Sequence, residues 1–203
     1  MARIDSLAAL RAVYKPATDR SVAKVLPGID GHCRRFIALS PFLLLATGGP
    51  DGTSDVSPRG DAPGFVTVAD DTTLLLPDRP GNNRLDSLEN IIARPGVGLL
   101  FLVPGVDETL RVNGTAEILT DDDLRAGFAV GGKLPLSVIR IRVQEAYLHC
   151  AKALMRSRLW SPEAQVERSV LPTMGEMLQD HTSGVFKAET QEEMLKRFRE
   201  VLY

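Results

Sequence analysis

FLLLATGGPDGTSDVSPRG, residues 42–60, sets a continuous apolar run of strand length, a dense turn signal and a polar segment broken by Pro and Gly in direct succession. Read in that order, FLLLAT (42–47) is a strand, GGPDG (48–52) the turn and TSDVSPRG (53–60) the returning arm of a hairpin. Further strands follow at short spacing: FVTVA (65–69), TLLLP (73–77), VGLLFLV (97–103), ETLRVNGTAEIL (108–119) and the alternating LSVIRIRV (136–143). Six or seven short strands joined largely by tight turns predict a mainly β, antiparallel barrel or sandwich within an α+β chain.

Helical pattern lies outside and once inside this run. Segments Asp5–Tyr14, Thr18–Val25 and Asp30–Leu39 each begin at a side-chain acceptor suited to capping a helix. NNRLDSLENIIA (82–93) places Leu85, Leu88 and Ile92 on one helical face and leaves its first turn open to a ligand. Capping boxes at Thr173–Glu176 and Thr190–Glu193, with an apolar stripe through Met194, Phe198 and Val201, predict more helix. The expected organisation is an N-terminal helical arm (1–40), a barrel (41–160) and a C-terminal helical extension (161–203) within one structural domain.

Charge narrows the function classes. With 24 Lys and Arg against 26 Asp and Glu there is no global basic field for nucleic acid, so an anion site must be local. No segment reaches the roughly 20 apolar residues of a membrane span, and MARIDSLAALRAVYKP (1–16) lacks the apolar stretch of a signal peptide. A cytoplasmic protein is expected. Two cysteines outside any CxxC pair and three histidines outside any HxxxH spacing give no metal pattern.

Three stretches could carry chemistry. In PDRPGNNR (77–84), Gly81 allows close backbone approach, Asn82 and Asn83 offer amide donors, and Arg84 offers a cation beside a helix start; this suits a phosphate. The alternative is that Asn82 merely caps the helix. In SPRGDAPGF (57–65), Arg59 could face an anion with Asp61 fixing its direction, unless the segment is only a bulged edge. In HCAKALMRSRLW (149–160), Lys152 and Arg156 share a helical face, Ser157 adds a hydroxyl, and Trp160 offers a flat surface for a ring system. The alternative is a solvated basic helix with a core tryptophan. His149 and Cys150 read as packed residues, since adjacent side chains diverge.

Taken together, FLLLATGGPDGTSDVSPRGD, LLLPDRPGNNRLDSLENIIARPGVGLLFLVPG and ETLRVNGTAEIL resemble the FMN-binding split-barrel family built around pyridoxamine 5'-phosphate oxidase, over roughly residues 36–160. The resemblance implies a six-stranded antiparallel split barrel with N- and C-terminal helices, a homodimer, and flavin in the cleft between protomers. It carries the flavin contacts onto Ser57, Pro58, Arg59 and Gly60, with Pro77 and Asp78 at a strand end beside the ring. The family's phosphate-gripping Ser-Arg-Lys falls on Asn82, Asn83 and Arg84, where only the basic end is kept. Thr109 and Arg111 match a strand that contributes across the protomer cleft, and Lys152, Arg156, Ser157 and Trp160 match a subgroup segment inferred to complete the pocket. KRFREVLY (196–203) lacks the Arg and His cluster with which the oxidase grips pyridoxal phosphate, which argues against a vitamin B6 substrate.

The expected activity is therefore an FMN-dependent oxidoreductase working on a small organic substrate or nicotinamide donor. Arg59 and then Arg111 would stabilise charge on the reduced ring, with no obligatory protein acid or base. The rival readings are a reductase using the deazaflavin F420, and a flavin or haem module without turnover in which His149 would be the haem residue.

Overall fold

The computed structural model describes residues 2–202, the side chain of Val201 excepted. Seven antiparallel strands form one sheet in the order β2-β1-β5-β6-β7-β4-β3. They are β1 (Phe42–Gly48), β2 (Ser54–Gly60), β3 (Thr67–Asp70), β4 (Thr73–Asp78), β5 (Gly96–Leu102), β6 (Thr109–Leu119) and β7 (Ser137–His149). The strand count exceeds the expected six by one. Helices are α1 (Leu7–Val13), α2 (Asp19–Ala23), α3 (Gly31–Leu39), α4 (Asp86–Ala93), α5 (Asp122–Ala126), α6 (Lys152–Ser157), α7 (Met174–His181) and α8 (Gln191–Val201).

The β1–β2 hairpin forms as its turn residues dictate. Asp51 accepts from the backbone N–H and hydroxyl of Thr53 (3.1 and 2.6 Å), and Gly52 sits at φ 87°, a conformation that favours glycine. Period-two alternation then sorts the strands. Leu43 and Leu45 of β1, Leu99 and Phe101 of β5, Leu110 and Val112 of β6, and Ile139 and Ile141 of β7 are each no more than 1% exposed and make the core. Burying such a side chain stabilises the fold by roughly 1.5–3 kcal/mol. From α3, Cys33 and Ile37 join them, and burial pushes the Cys33 thiol up to about 11.

Several expectations shift at element ends. Ser6, not Asp5, caps α1, while Thr18 and Asp30 cap α2 and α3 as expected. Strand β7 runs to His149 rather than stopping at Val143, because Asn113–Glu145, Arg111–Tyr147 and Thr109–His149 continue its pairing with β6 past a register shift at Asn113/Gly114. The helix expected over 82–93 starts only at Asp86, because Asn83 (φ 58°) and Leu85 (φ 62°) adopt left-handed backbone. Its inward face is consequently Ser87 and Ile91, with Leu88 against the core; Leu85 and Ile92 are 48% and 78% exposed. Both C-terminal capping boxes form, and Met194 of the expected stripe is buried while Phe198 is 40% exposed. The Val201 side chain lies outside the described residues.

Among the described residues no helix is long and apolar enough to cross a membrane.

Candidate functional site

The sheet does not hydrogen-bond between β2 and β4, yet the ends of these strands meet. Arg59 of β2 pairs with Asp78 of β4 at 2.5 Å, and just beyond them Asp61 pairs with Arg79 at 2.8 Å. The signs are reversed between the two pairs, so PRGD (58–61) and PDRP (77–80) cross-link through both charged positions. All four side chains are at most 19% exposed. This corrects the expected role of Asp61, which turns to Arg79 and not to Arg59. The direction of Arg59 is set instead by Asp78 and by Ser57, whose Oγ accepts from Nε at 3.3 Å.

Beside this seam lies a cleft of about 500 Å³, within the size range of small-molecule sites. Its walls include Ser57, Pro58, Arg59 and Gly60 from β2, Pro77 and Asp78 from β4, and Asn82, Asn83 and Arg84 from the loop that follows. Local backbone explains why one loop gathers three donors. Asn82 Oδ1 accepts from the Arg84 N–H at 3.1 Å, and the left-handed Asn83 and Leu85 turn the chain sharply into α4. Asn82 therefore fastens this turn and does not cap the helix. Residue α4 has at its cap, Leu85, offers no side-chain acceptor, so the first-turn N–H groups of α4 remain available to a ligand. A Cβ on Gly81 would meet nothing within 4 Å, so packing does not require this glycine.

Each guanidinium in the cleft already faces a carboxylate, and burial ranks how readily each can be exchanged. Arg84 donates to Asp86 at 2.8 Å with side chains 73% and 45% exposed, and this contact raises the Arg84 pKa. Solvent screening makes such a pair weak, so Arg84 is held only loosely by Asp86. The Arg59–Asp78 pair is shielded, and removing one buried partner is strongly unfavourable. The polar loop end thus suits a phosphate, while Phe65, Pro77, Leu136 and Leu202 give the cleft apolar surface suited to a ring system.

Sequence reading missed five of the wall residues that matter here. Asp55 and Ser87 stand beside Ser57, with Ser87 Oγ donating to Asp55 Oδ2 at 2.5 Å and lying 2.9 Å from Ser57 Oγ. Phe65, Leu136 and Leu202 come from three distant segments. Asp55, Ser57 and Arg59 at alternate positions of one strand were a legible signal, because their side turned out to be the sheltered one while Val56 is 59% exposed. No local signal marks Leu202.

The other site candidates do not line this cleft in the single chain. Thr109 is buried, and Arg111 donates to the Tyr147 hydroxyl at 3.0 Å on the outward face of β6 and β7. Lys152, Arg156 and Ser157 are exposed on α6, and Ser157 Oγ donates back to the Leu154 carbonyl at 3.0 Å. Trp160 is partly buried and its Nε1 donates to the Val106 carbonyl at 2.9 Å. Cys150, expected to be packed, is exposed, because it stands where β7 gives way to α6.

His149 ends β7, with its ring 5.1 Å from that of Tyr147. Burial, together with Arg111 and Lys24, holds its pKa below the ordinary 6.5, and its Nε2 is shielded from solvent with no hydrogen-bond partner among the described residues. The neutral ring is favoured in the fold, so the native state binds fewer protons than the unfolded chain between the depressed value and about 6.5. Stability contributed here is full above about pH 6.5 and declines as pH falls through that window. Urea midpoints taken on both sides of the window should drop on the acid side, and His149→Gln should flatten the difference; an unaltered pH dependence in that variant would assign the effect elsewhere.

Among the described residues, no cluster of three or more His, Cys, Asp or Glu side chains is placed to hold a metal ion.

No curated protein matches the chain. Among solved structures it is similar to HupZ from Group A Streptococcus, at 18% identity over 59% of this chain and 93% of that one, with a TM-score of 0.49. It is also similar to General Stress Protein 26 from Bacillus anthracis, at 18% identity over 58% and 93% with a TM-score of 0.43. An F420 reductase is similar at 21% identity over 58% and 96%, with a TM-score of 0.41. The family model described as pyridoxamine 5'-phosphate oxidase matches residues 29–150, a span that runs from the start of α3 through β7 and contains both ion pairs and the Asn82–Arg84 loop. The chain belongs to the pyridoxamine 5'-phosphate oxidase family.

Proposed function

We propose that the cleft binds FMN and that the protein is an FMN-dependent oxidoreductase acting on a small organic substrate or a nicotinamide donor. The observation that carries this reading is the convergence of Ser57–Gly60, Pro77–Asp78 and Asn82–Arg84 on one cleft, polar at its loop end and apolar elsewhere. Asn82, Asn83, Arg84 and the first N–H groups of α4 would hold the phosphate. Arg59 would place positive charge beside the ring, where reduction adds negative charge. Bound FMN supplies the electron transfer itself. Pro77, Phe65 and Leu136 would offer apolar surface to the ring.

A second copy of the chain is proposed to complete the site. The outward side of the sheet carries cross-strand rows Pro58–Leu44–Leu100–Arg111–Tyr147 and Val56–Ala46–Gly98–Asn113–Glu145, apolar over β2, β1 and β5 and polar over β6 and β7. Such an apolar area bordered by polar groups suits a protein contact. Arg111, Thr109 and the α6 residues Lys152, Arg156 and Ser157, with Trp160, would reach the cleft from the partner chain.

Titration of FMN by quenching of its fluorescence tests the reading. Micromolar or tighter binding is expected, weakened on the order of 10- to 100-fold by Arg84→Ala, the range for losing a hydrogen bond to a charged group. Asp86→Asn should tighten binding by removing the competing carboxylate. Absence of binding, or retention of F420 alone, would overturn the FMN assignment, and unchanged affinity in the Arg84 variant would remove Arg84 from the site.

A further inference from the structure

The sheltered side of β2 carries a continuous run of side-chain hydrogen bonds. Asp55, Ser57 and Arg59 occupy alternate positions on it, and Ser87, 3% exposed, reaches in from α4. The hydroxyl proton of Ser87 goes to Asp55 Oδ2 at 2.5 Å. Its 2.9 Å contact with Ser57 must then use the proton of Ser57. Ser57 is left with lone pairs only, and these accept from Arg59 Nε at 3.3 Å. All donors therefore point one way, from Arg59 through Ser57 and Ser87 to Asp55, because a carboxylate at the end of the line only accepts.

Asp78 holds the same guanidinium at Nη1. One anchor alone would let the planar group pivot about that contact; a second at Nε fixes its plane. Nη2 takes part in none of the described hydrogen bonds of Arg59.

We propose that Asp55 and Ser87 are positioning residues that act through Ser57 to fix the plane of Arg59 and present its Nη2 edge to the ligand in the cleft. The inference deepens the reading that FMN binds there and rests on it for its effect on the ligand. Asp55 and Ser87 need not touch the ligand themselves. Their effect passes through Arg59, and a double-mutant cycle isolates that path.

Two measurements test it. In the ligand-free protein, the Arg59 Nε–Hε resonance, assigned by its loss in Arg59→Ala, is expected to be sharp in the native chain and in Ser87→Thr, and broadened by exchange in Ser87→Ala. In FMN titrations, Ser87→Ala and Asp55→Asn are each expected to weaken binding on the order of 3- to 10-fold, less than the loss of a direct charged contact to the ligand because their effect passes through Arg59. Ser87→Thr, which keeps the hydroxyl, should restore it, and Ser87→Ala added to Arg59→Ala should weaken it no further. An unchanged Arg59 signal in Ser87→Ala, or an equal loss of affinity with and without Arg59, would overturn the proposal. Should the native chain bind no FMN, the cofactor assignment fails, while the Arg59 signal still decides whether Ser87 positions it.

Discussion

Asp78→Ala is expected to destabilise the protein by about 3–5 kcal/mol, the range for removing one partner from a buried ion pair. Asp78 is 8% exposed and sits 2.5 Å from Arg59, whose own side chain is 19% exposed. Alanine would leave a guanidinium charge that is four-fifths shielded, with only the neutral Ser57 oxygen at Nε and its Nη2 edge toward the cleft. The double replacement Arg59→Met with Asp78→Leu should cost far less, because it removes the charge together with its need for a partner. Urea unfolding of the single and double variants measures both. A single-variant loss below about 1 kcal/mol would mean that water reaches Arg59 and that the seam behaves as a surface contact. The comparison matters for function because the same pair closes β2 against β4 beside the proposed flavin ring.

Gly114→Ala is expected to destabilise by about 3 kcal/mol, the upper part of the range for overfilling a packed site. A Cβ there would overlap the carbonyl oxygen of Arg142 and stand 3.0 Å from its carbon and 3.2 Å from Val143 Cα. These are backbone atoms, which cannot rotate aside as a side chain could. The site is the register shift where β6 and β7 bend past each other, and Val143 N there donates to the Thr72 carbonyl instead. Thermal unfolding should show the loss. Cleft residues on β2 and β4 lie on other strands, so FMN affinity at low temperature should change far less than stability; a parallel collapse of both would tie the bend to the site.

How far the chain could be read before its structure depended on whether the cause was local. GGPDG forced a turn and FLLLAT a strand, both within a few residues, and the hairpin formed as expected. Thr173–Glu176 and Thr190–Glu193 carried their capping boxes in the same way. The start of α4 was misplaced because the left-handed backbone of Asn83 and Leu85 leaves no trace in a pattern of apolar spacing. The end of β7 was misplaced because QEAYLH is extended by its partner β6, not by its own propensity.

The site divided along the same line. Nine residues carried over from the resemblance, Ser57–Gly60, Pro77, Asp78 and Asn82–Arg84, line one cleft. Charge sequence alone could not reveal that Asp61 pairs with Arg79 while Arg59 pairs with Asp78, since the choice follows from how two strand ends approach. Ser87 stayed hidden for a related reason: only after α4 starts at Asp86 does it face β2.

FMN binding in the β2–β4 cleft is tested most sharply by a crystal structure of the protein soaked with FMN. The phosphate is expected within hydrogen-bond distance of Asn82–Arg84 and the first turn of α4, with the ring beside Arg59 and Pro77 at the β2–β4 seam. FMN held elsewhere on the chain, or that corner left without FMN at saturating concentration, would contradict it.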